Sequence, residues 1–112
     1  MKTGIEIIAD ERKRQVEEEG YTAEHDAMHV NGELADAAAT YAMNKNTRSA
    51  LTSLTYHSMM DGICPTWPFD YEWWKESPED RIKELAKAGA LIAAEIDRLL
   101  KIKELEDNLE EE

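Results

Sequence analysis

The sequence predicts a single all-α domain of four helices, closed by a packed loop that is rich in tryptophan. The chain has 112 residues, and because domains run to roughly 100–200 residues, we expect one hydrophobic core. At 42% hydrophobic residues it is too apolar for disorder, and 5 glycines and 3 prolines leave few turns for a β-fold. Apolar residues also recur at helical spacing behind typical capping residues, which favours a compact helical domain.

The first helix is predicted to begin at Gly4 and to end at Gly20. Thr3 and Glu6 form a capping-box pattern, in which the hydroxyl and the carboxylate satisfy each other's free backbone amides. Gly20 suits the left-handed conformation that often closes a helix. Between these ends, apolar residues alternate with charged ones, so one face of this helix should pack on the core.

The next two helices are marked by caps rather than by strong periodicity. Asn31 is predicted to cap a second helix that runs to Ala42. Residues 21–29 before it fit either a helical turn capped by Thr22 or an ordered loop, and periodicity does not decide between them. Asn46 or Thr47 is predicted to cap a third helical stretch that passes through Leu51, Leu54 and Met59 and ends at Asp61–Gly62.

The segment from Ile63 to Lys75 is predicted to be a packed loop. It holds two prolines and five of the eight aromatic residues of the chain. Prolines interrupt helices, and large aromatic side chains need burial. The loop should therefore cover one end of the helical core.

The fourth helix is predicted to be the long core helix of the domain. Ser77–Asp80 supplies a cap residue, a proline at the first helical position and two acids in the first turn. Apolar residues then recur at steps of three and four, a spacing typical of a coiled-coil seam, at Ile82, Leu85, Gly89, Ile92, Ile96 and Leu99. Gly89 should mark a close helix crossing. Because this seam exceeds what one short helix can cover, we expect a homo-oligomer, a dimer or larger.

Charge divides the chain into a folded part, residues 1–103, and an acidic tail, residues 104–112. The formal net charge is −12, and six acids lie in the last nine residues. Such a surface repels duplex nucleic acid and anionic membranes, so neither is an expected partner, and the tail is predicted to be frayed. The single cysteine, Cys64, fits a buried structural thiol in a reducing cytosol, and no signal peptide or apolar span is evident, so we expect a cytoplasmic protein.

A first group of polar residues has the spacing of metal ligands. His25 and His29 stand four residues apart, with Glu33 four further on, as on a zinc-binding helix. Glu33, Asp36 and Glu95 resemble the acids that hold magnesium in all-α nucleotide pyrophosphohydrolases, but the helix-one half of that motif is missing. These residues also fit the interpretation of caps and a solvated acidic face.

A second group has the composition of a nucleotide pocket. Trp73 and Trp74 offer surfaces on which a base can stack. Four cations suit phosphate contacts: Arg12, Arg14, Lys75 and Arg81. The opposing interpretation is that the tryptophans plug the core and the cations lie on an ordinary surface.

Eight short segments together resemble a family of small phage and prophage proteins of unassigned function. The resemblance extends to about Leu100 and rests on Glu11–Gln15 (ERKRQ), Glu19–Thr22 (EGYT), Glu24–Asp26 (EHD), Gly32–Ala35 (GELA), Tyr41–Ala42 (YA), Trp67–Asp70 (WPFD), Trp73–Lys75 (WWK) and Lys87–Leu99 (KAGALIAAEIDRL). It implies a viral accessory protein that acts in a bacterial cytoplasm. The shared polar positions imply a site that adds Gln15, His25 and Asp26 to the cations and tryptophans.

Three functions are compatible with these observations. The favoured one is a non-enzymatic protein that sequesters a phosphorylated small molecule, such as a nucleotide signal of anti-phage defence, without a cofactor. The second is a magnesium-dependent nucleotide pyrophosphohydrolase that uses Glu33, Asp36 and Glu95, with Asp26 as a further candidate ligand and His25 moving a proton. The third is an inhibitor whose acidic surface occupies the nucleic-acid channel of a host enzyme.

Overall fold

A computed structural model describes residues 1–111, and in them the chain is all-α without strands. Glu112, the last acid of the predicted tail, lies outside the described residues. None of the helices in this part of the chain has the length and apolarity to cross a bilayer. The helices are α1 (Gly4–Glu18), α2 (Ala23–Ala27), α3 (Glu33–Ala42), α4 (Lys45–Thr52), α5 (Tyr56–Asp61) and α6 (Arg81–Glu111), with a 3-10 turn at Tyr71–Trp73.

Helix α1 confirms both predicted ends. The Thr3 hydroxyl accepts a hydrogen bond from the Glu6 amide, and the Glu6 carboxylate accepts one from the Thr3 amide. The chain leaves the helix through Gly20, whose φ of +75° lies in the left-handed region that favours glycine.

Residues 21–29, left open by periodicity, contain α2, and the Thr22 side chain caps it by accepting from the His25 amide. The predicted cap of the next helix was wrong. Gly32 precedes α3 with a φ of +82°, and no side chain caps this helix end. The Asn31 amide instead donates to the carboxylate of Glu33, which therefore closes the turn.

The third predicted helix is broken into α4 and α5. Asn44, rather than Asn46 or Thr47, caps α4 by accepting from the Thr47 amide. At the other end the hydroxyls of Thr52 and Ser53 donate to carbonyls four residues earlier, a bond that competes with helix continuation. Helix α5 then ends at Gly62, φ +71°, as predicted.

Helix α6 begins three residues later than the proline pattern predicted. Ser77–Asp80 forms a turn, and the Asp80 side chain accepts from the Lys83 amide, so Asp80 is the residue that closes the helix start. The helix then continues for 31 residues, about 46 Å at 1.5 Å per residue. It includes the predicted acidic tail as far as Glu111, where the side chains are exposed.

The core lies on the small-residue face of α6. This face packs against α3 and α1, and its buried apolar members are Ala86, Ala88, Ala90, Leu91 and Ala94. Opposite them on α3 lie Leu34, Ala37, Ala38 and Tyr41. The alanines allow close helix approach, and a Cβ on Gly89 would lie 2.6 Å from Cδ1 of Ile8, which confirms the predicted close crossing.

The predicted seam of large aliphatic residues is therefore not the core-facing side of α6. Its five aliphatic members are 46–66% exposed. The alanine face lets the helices approach closely, and the bulkier row is left outside.

The tryptophan-rich segment packs on the core as predicted. Trp74 stacks on Tyr41 with ring centroids 4.6 Å apart, and Trp67 meets the same tyrosine edge-on at 5.5 Å. Trp67 and Phe69 also contact each other edge-on. Cys64 is buried beside this loop, where its thiol lies 3.3 Å from the Thr66 hydroxyl.

Candidate functional site

A cleft lies between the end of α1, helix α2 and the tryptophan-rich segment, above α3 and α6. Its outer part has a volume of about 370 Å³, whereas its inner end has room for about one water molecule, about 20 Å³. The two parts share Glu19, Tyr21, Phe69 and Trp73. We call this space the aromatic cleft, and its other polar residues are Arg14, Gln15, His25, His29, Lys75 and Lys87.

Lys87 is the buried cation at the inner end of the aromatic cleft. Its side chain is 7% exposed, and its ammonium donates to the Lys75 carbonyl at 2.7 Å and to the Ser77 hydroxyl at 3.4 Å. The ammonium also lies 5.3 Å from the ring centre of Tyr41. Among residues 1–111 it has no carboxylate partner. Burial lowers the pKa of Lys87, because desolvation disfavours the charged ammonium.

Lys87 has no carboxylate partner in the described residues because Glu84 is bound to other groups. Glu84, one turn earlier on the same face, is 2% exposed and would be the natural partner. Its two oxygens are instead occupied by the guanidinium of Arg48, by that of Arg81 and by the Ser77 amide. The lysine thus has no carboxylate in direct contact, and its ammonium is compensated only by the Lys75 carbonyl, the Ser77 hydroxyl and the Tyr41 ring.

Arg14 and Lys75 stand at the rim, and both contact Glu19. Arg14 donates to Glu11 at 2.6 Å and to Glu19 at 3.2 Å, and the ammonium of Lys75 lies 3.6 Å from the same Glu19 oxygen. The bond to Glu11 raises the pKa of Arg14 further above its usual range, so this guanidinium stays charged. The two rim cations thus share one carboxylate oxygen.

Two buried polar atoms at the cleft have no hydrogen-bond partner in the described chain. Gln15 is 2% exposed; its amide nitrogen donates to Glu11 at 3.3 Å, but its Oε1 is unpaired. His29 contacts Glu33 through Nδ1 at 3.3 Å, whereas its Nε2 is unpaired. Buried polar groups are nearly always satisfied, so two such atoms beside one cleft indicate room for a ligand or for water.

The outer part of the aromatic cleft is walled by a continuous row of rings. Tyr21 stacks on His25 at 5.0 Å, His25 meets His29 edge-on at 4.8 Å, and His29 meets Phe69 at 5.0 Å. Trp73, 49% exposed, stands at the mouth, with the Lys75 ammonium 5.9 Å from its ring. A planar ring entering this space has aromatic faces and edges available on several sides.

Four of the nine predicted ligand residues lie away from the aromatic cleft. Arg12 and Asp26 pair with each other at 3.1 Å and, through the Tyr21 carbonyl, hold α1, α2 and the intervening loop together. Arg81 donates to the carbonyls at the end of α3, which a helix terminus leaves unpaired. Trp74 is sandwiched between Tyr41 and the guanidinium of Arg48. The other five (Arg14, Gln15, His25, Trp73 and Lys75) line it.

The four candidate metal ligands are not gathered into one group. Only His29 and Glu33 contact each other. Asp36 is exposed, and Glu95 is held by Arg98 at 2.6 Å. Within residues 1–111, no three His, Cys, Asp or Glu side chains stand together as a metal site.

Sequence reasoning missed Lys87, Glu19 and Tyr21 as cleft residues. For Lys87 a signal was present: it lies four residues before Leu91 and one turn after Glu84, on the alanine face of α6. Taking the isoleucine row as the core placed this lysine on the wrong side of the helix. Tyr21 gave no comparable signal, because its position at the cleft depends on how the loop after α1 folds.

We compared the chain with family models, with curated proteins and with solved structures, and it matches none of them.

Proposed function

We propose that this protein binds a phosphorylated small molecule with a planar ring, a nucleotide, in the aromatic cleft. The observation that carries the proposal is Lys87, a buried ammonium at the inner end of the cleft whose neighbouring acid is occupied elsewhere. A buried ammonium that is compensated only by a carbonyl, a hydroxyl and a ring still carries part of its desolvation penalty. An anionic oxygen bound at Lys87 would remove that penalty. The free energy that burial of the ammonium costs on folding would then be recovered on binding.

The ligand has two ends in this proposal. The ring occupies the outer part, against Tyr21, Phe69 and Trp73, where about 370 Å³ is open. One anionic oxygen enters the inner end and contacts Lys87, while Lys75 at the rim meets the remaining phosphate oxygens. The unpaired Oε1 of Gln15 and Nε2 of His29 are available to polar groups of the ring or sugar.

We further propose that the protein sequesters the nucleotide rather than converting it. This step rests on the resemblance to small phage proteins, which favours a host immune signal as the ligand. Binding of such a signal by the protein would lower the free concentration of the signal by mass action alone.

Calorimetric titration of the native protein with AMP, ATP, cyclic di-AMP and adenosine tests the site. We expect at least one of the phosphorylated compounds to bind and adenosine to bind much more weakly, because the ring alone leaves Lys87 unpaired. Lys87→Met should abolish binding. Lys83→Met is the matched control, since Lys83 has the same charge on the same helix but is exposed. Equal affinity of native protein and Lys87→Met for every compound would contradict the assignment.

Recovery of the bound compound tests sequestration. Protein loaded with nucleotide in the presence of Mg²⁺ is denatured by heat, and the released compound is separated by chromatography. We expect it to return unchanged. Conversion to a product that depends on Mg²⁺ would replace the sequestration proposal with the hydrolase hypothesis.

A further inference from the structure

The outer part of the aromatic cleft is lined by few polar side chains, and the hydrogen-bonding role of each follows from its neighbours. These side chains are Glu19, Tyr21, His25 and His29. A carboxylate such as that of Glu19 only accepts, whereas a neutral imidazole donates from one ring nitrogen and accepts at the other. The positions of the two imidazole protons therefore determine which ligand groups this part of the cleft can recognise.

His29 presents a hydrogen-bond acceptor at Nε2. Its Nδ1 lies 3.3 Å from Oε2 of Glu33. Burial raises the pKa of Glu33, but hydrogen bonds from the Asn31 amide, its own amide and His29 lower it overall, so this side chain is an ionised carboxylate. Because a carboxylate only accepts, Nδ1 carries the proton of the neutral ring and Nε2 carries a lone pair. No donor in residues 1–111 reaches this buried Nε2.

His25 has the same arrangement on the same wall. Its Nδ1 lies 3.2 Å from Oδ1 of Asp26, a carboxylate that is ion-paired with Arg12 at 3.1 Å. Nδ1 of the neutral ring therefore carries the proton here too, and Nε2 accepts. The two imidazoles meet edge-on with ring centroids 4.8 Å apart. One wall of the outer part thus offers two neighbouring acceptors to a ligand.

Given a nucleotide in the aromatic cleft, as proposed above, we propose that its base carries an exocyclic amino group that donates to Nε2 of His29. An amino proton satisfies a buried lone pair that the chain itself leaves unpaired. An oxo group in that place would set two lone pairs against each other. The second amino proton has Nε2 of His25 and the carboxylate of Glu19 as further acceptors on the same part of the cleft. His29 is the residue that selects amino-bearing bases.

Matched nucleotide pairs test this specificity in the native protein. AMP, GMP and CMP are each compared with the same nucleotide in which hydrogen replaces the exocyclic amino group. The titrations are made at about pH 8, where an ordinary imidazole is neutral. For the parent nucleotide that binds most tightly, we expect the partner without the amino group to bind about tenfold more weakly or worse, because the buried acceptor stays unpaired.

His29→Phe tests the residue itself. Phenylalanine keeps a ring in the wall but has no lone pair, so we expect this variant to bind both members of the pair with equal affinity. Loss of the fold would weaken both members, whereas loss of the acceptor removes only the difference between them. His57→Phe is the matched control. His57 also contacts a carboxylate four residues on, at 3.4 Å from Asp61, but it is 94% exposed outside the cleft, so the preference should stay native.

The outcomes separate this specificity from the nucleotide site as such. Equal binding of both members of a pair by the native protein, abolished by Lys87→Met, would overturn the amino-group proposal and leave the nucleotide site standing. If AMP, GMP and CMP all fail to bind, the amino-group proposal is wrong, and ATP and cyclic di-AMP decide the site. An undiminished preference in His29→Phe would overturn the assignment to His29. The native pairs test the base even where His29→Phe fails to fold.

Discussion

The two faces of α6 differ in side-chain size and in burial, and the face with the smaller side chains is the buried one. The inner face is made of alanines, Leu91 and two charged residues, yet it is buried to a few per cent exposure. The opposite face carries larger aliphatic residues that are 46–66% exposed: Ile82, Leu85, Ile92, Ile96 and Leu99. Close helix packing needs small side chains at the crossing, so the larger aliphatic residues lie on the exposed side of the helix. Side-chain size on an amphipathic helix thus does not identify the face that packs within one chain.

The largest expected effect concerns the charges on the inner face. Glu84→Ala leaves the buried guanidinium of Arg48 without its buried carboxylate, so that its remaining carboxylate partner is the half-exposed Glu76, beside the Thr40 carbonyl. Removal of one partner of a buried pair costs about 3 to 5 kcal/mol. We expect the free energy of unfolding in urea to fall by that order. Glu104→Ala, which removes an exposed pair with Lys101 on the same helix, should change it by less than about 0.5 kcal/mol. Similar losses of unfolding free energy in the two variants would contradict the expected difference between a buried and an exposed charge pair.

A smaller effect is expected from enlarging an alanine of the inner face. Ala88 is 3% exposed and packs in the cluster of α3 residues. Ala88→Leu forces extra methyl groups into this contact, which costs about 1 to 3 kcal/mol. Thermal unfolding followed by circular dichroism measures the change. Leu109→Ala exchanges the same two residue types in the reverse direction at the exposed end of α6. It should leave the midpoint of thermal unfolding unchanged. An unaffected Ala88→Leu protein would mean that the inner face is loosely packed.

The smallest effect is the pH dependence contributed by Lys87. Its pKa is lowered in the folded protein, so between that value and the ordinary pKa of about 10.5 the unfolded chain binds more protons. Over this window the native protein should gain stability as pH rises. The measurement is the difference in urea midpoint between native protein and Lys87→Met across pH 7 to 11, since other groups titrate alike in both. A difference that does not vary with pH would show that the lysine is solvated.

How much of this molecule is predictable from sequence depends on the range of the interactions. The ends of α1 and the end of α5 were predicted because Thr3, Gly20 and Gly62 act through their own backbone neighbours. The start of α3 was not, because the Glu33 carboxylate competed with Asn31 for the same turn.

The cleft was predicted in part for the same reason. Arg14 and Lys75 were identified by type and Gln15 by the resemblance, and all three line it. Arg12 and Arg81, of the same type, are used to hold helices together. Which arginine lines the cleft depends on contacts between residues far apart in sequence. The sequence pattern does not contain those contacts.

We infer that the buried ammonium of Lys87 binds an anionic group of the ligand. Measurement of the pKa of Lys87 tests this inference most directly. Carbon-13 NMR of the lysine side chains, with Lys87→Met to assign the signal, gives the pKa of Lys87 with and without ATP or cyclic di-AMP. We predict a pKa below that of the other lysines in the free protein, which rises when the nucleotide binds. An ordinary pKa that neither nucleotide changes would contradict the account.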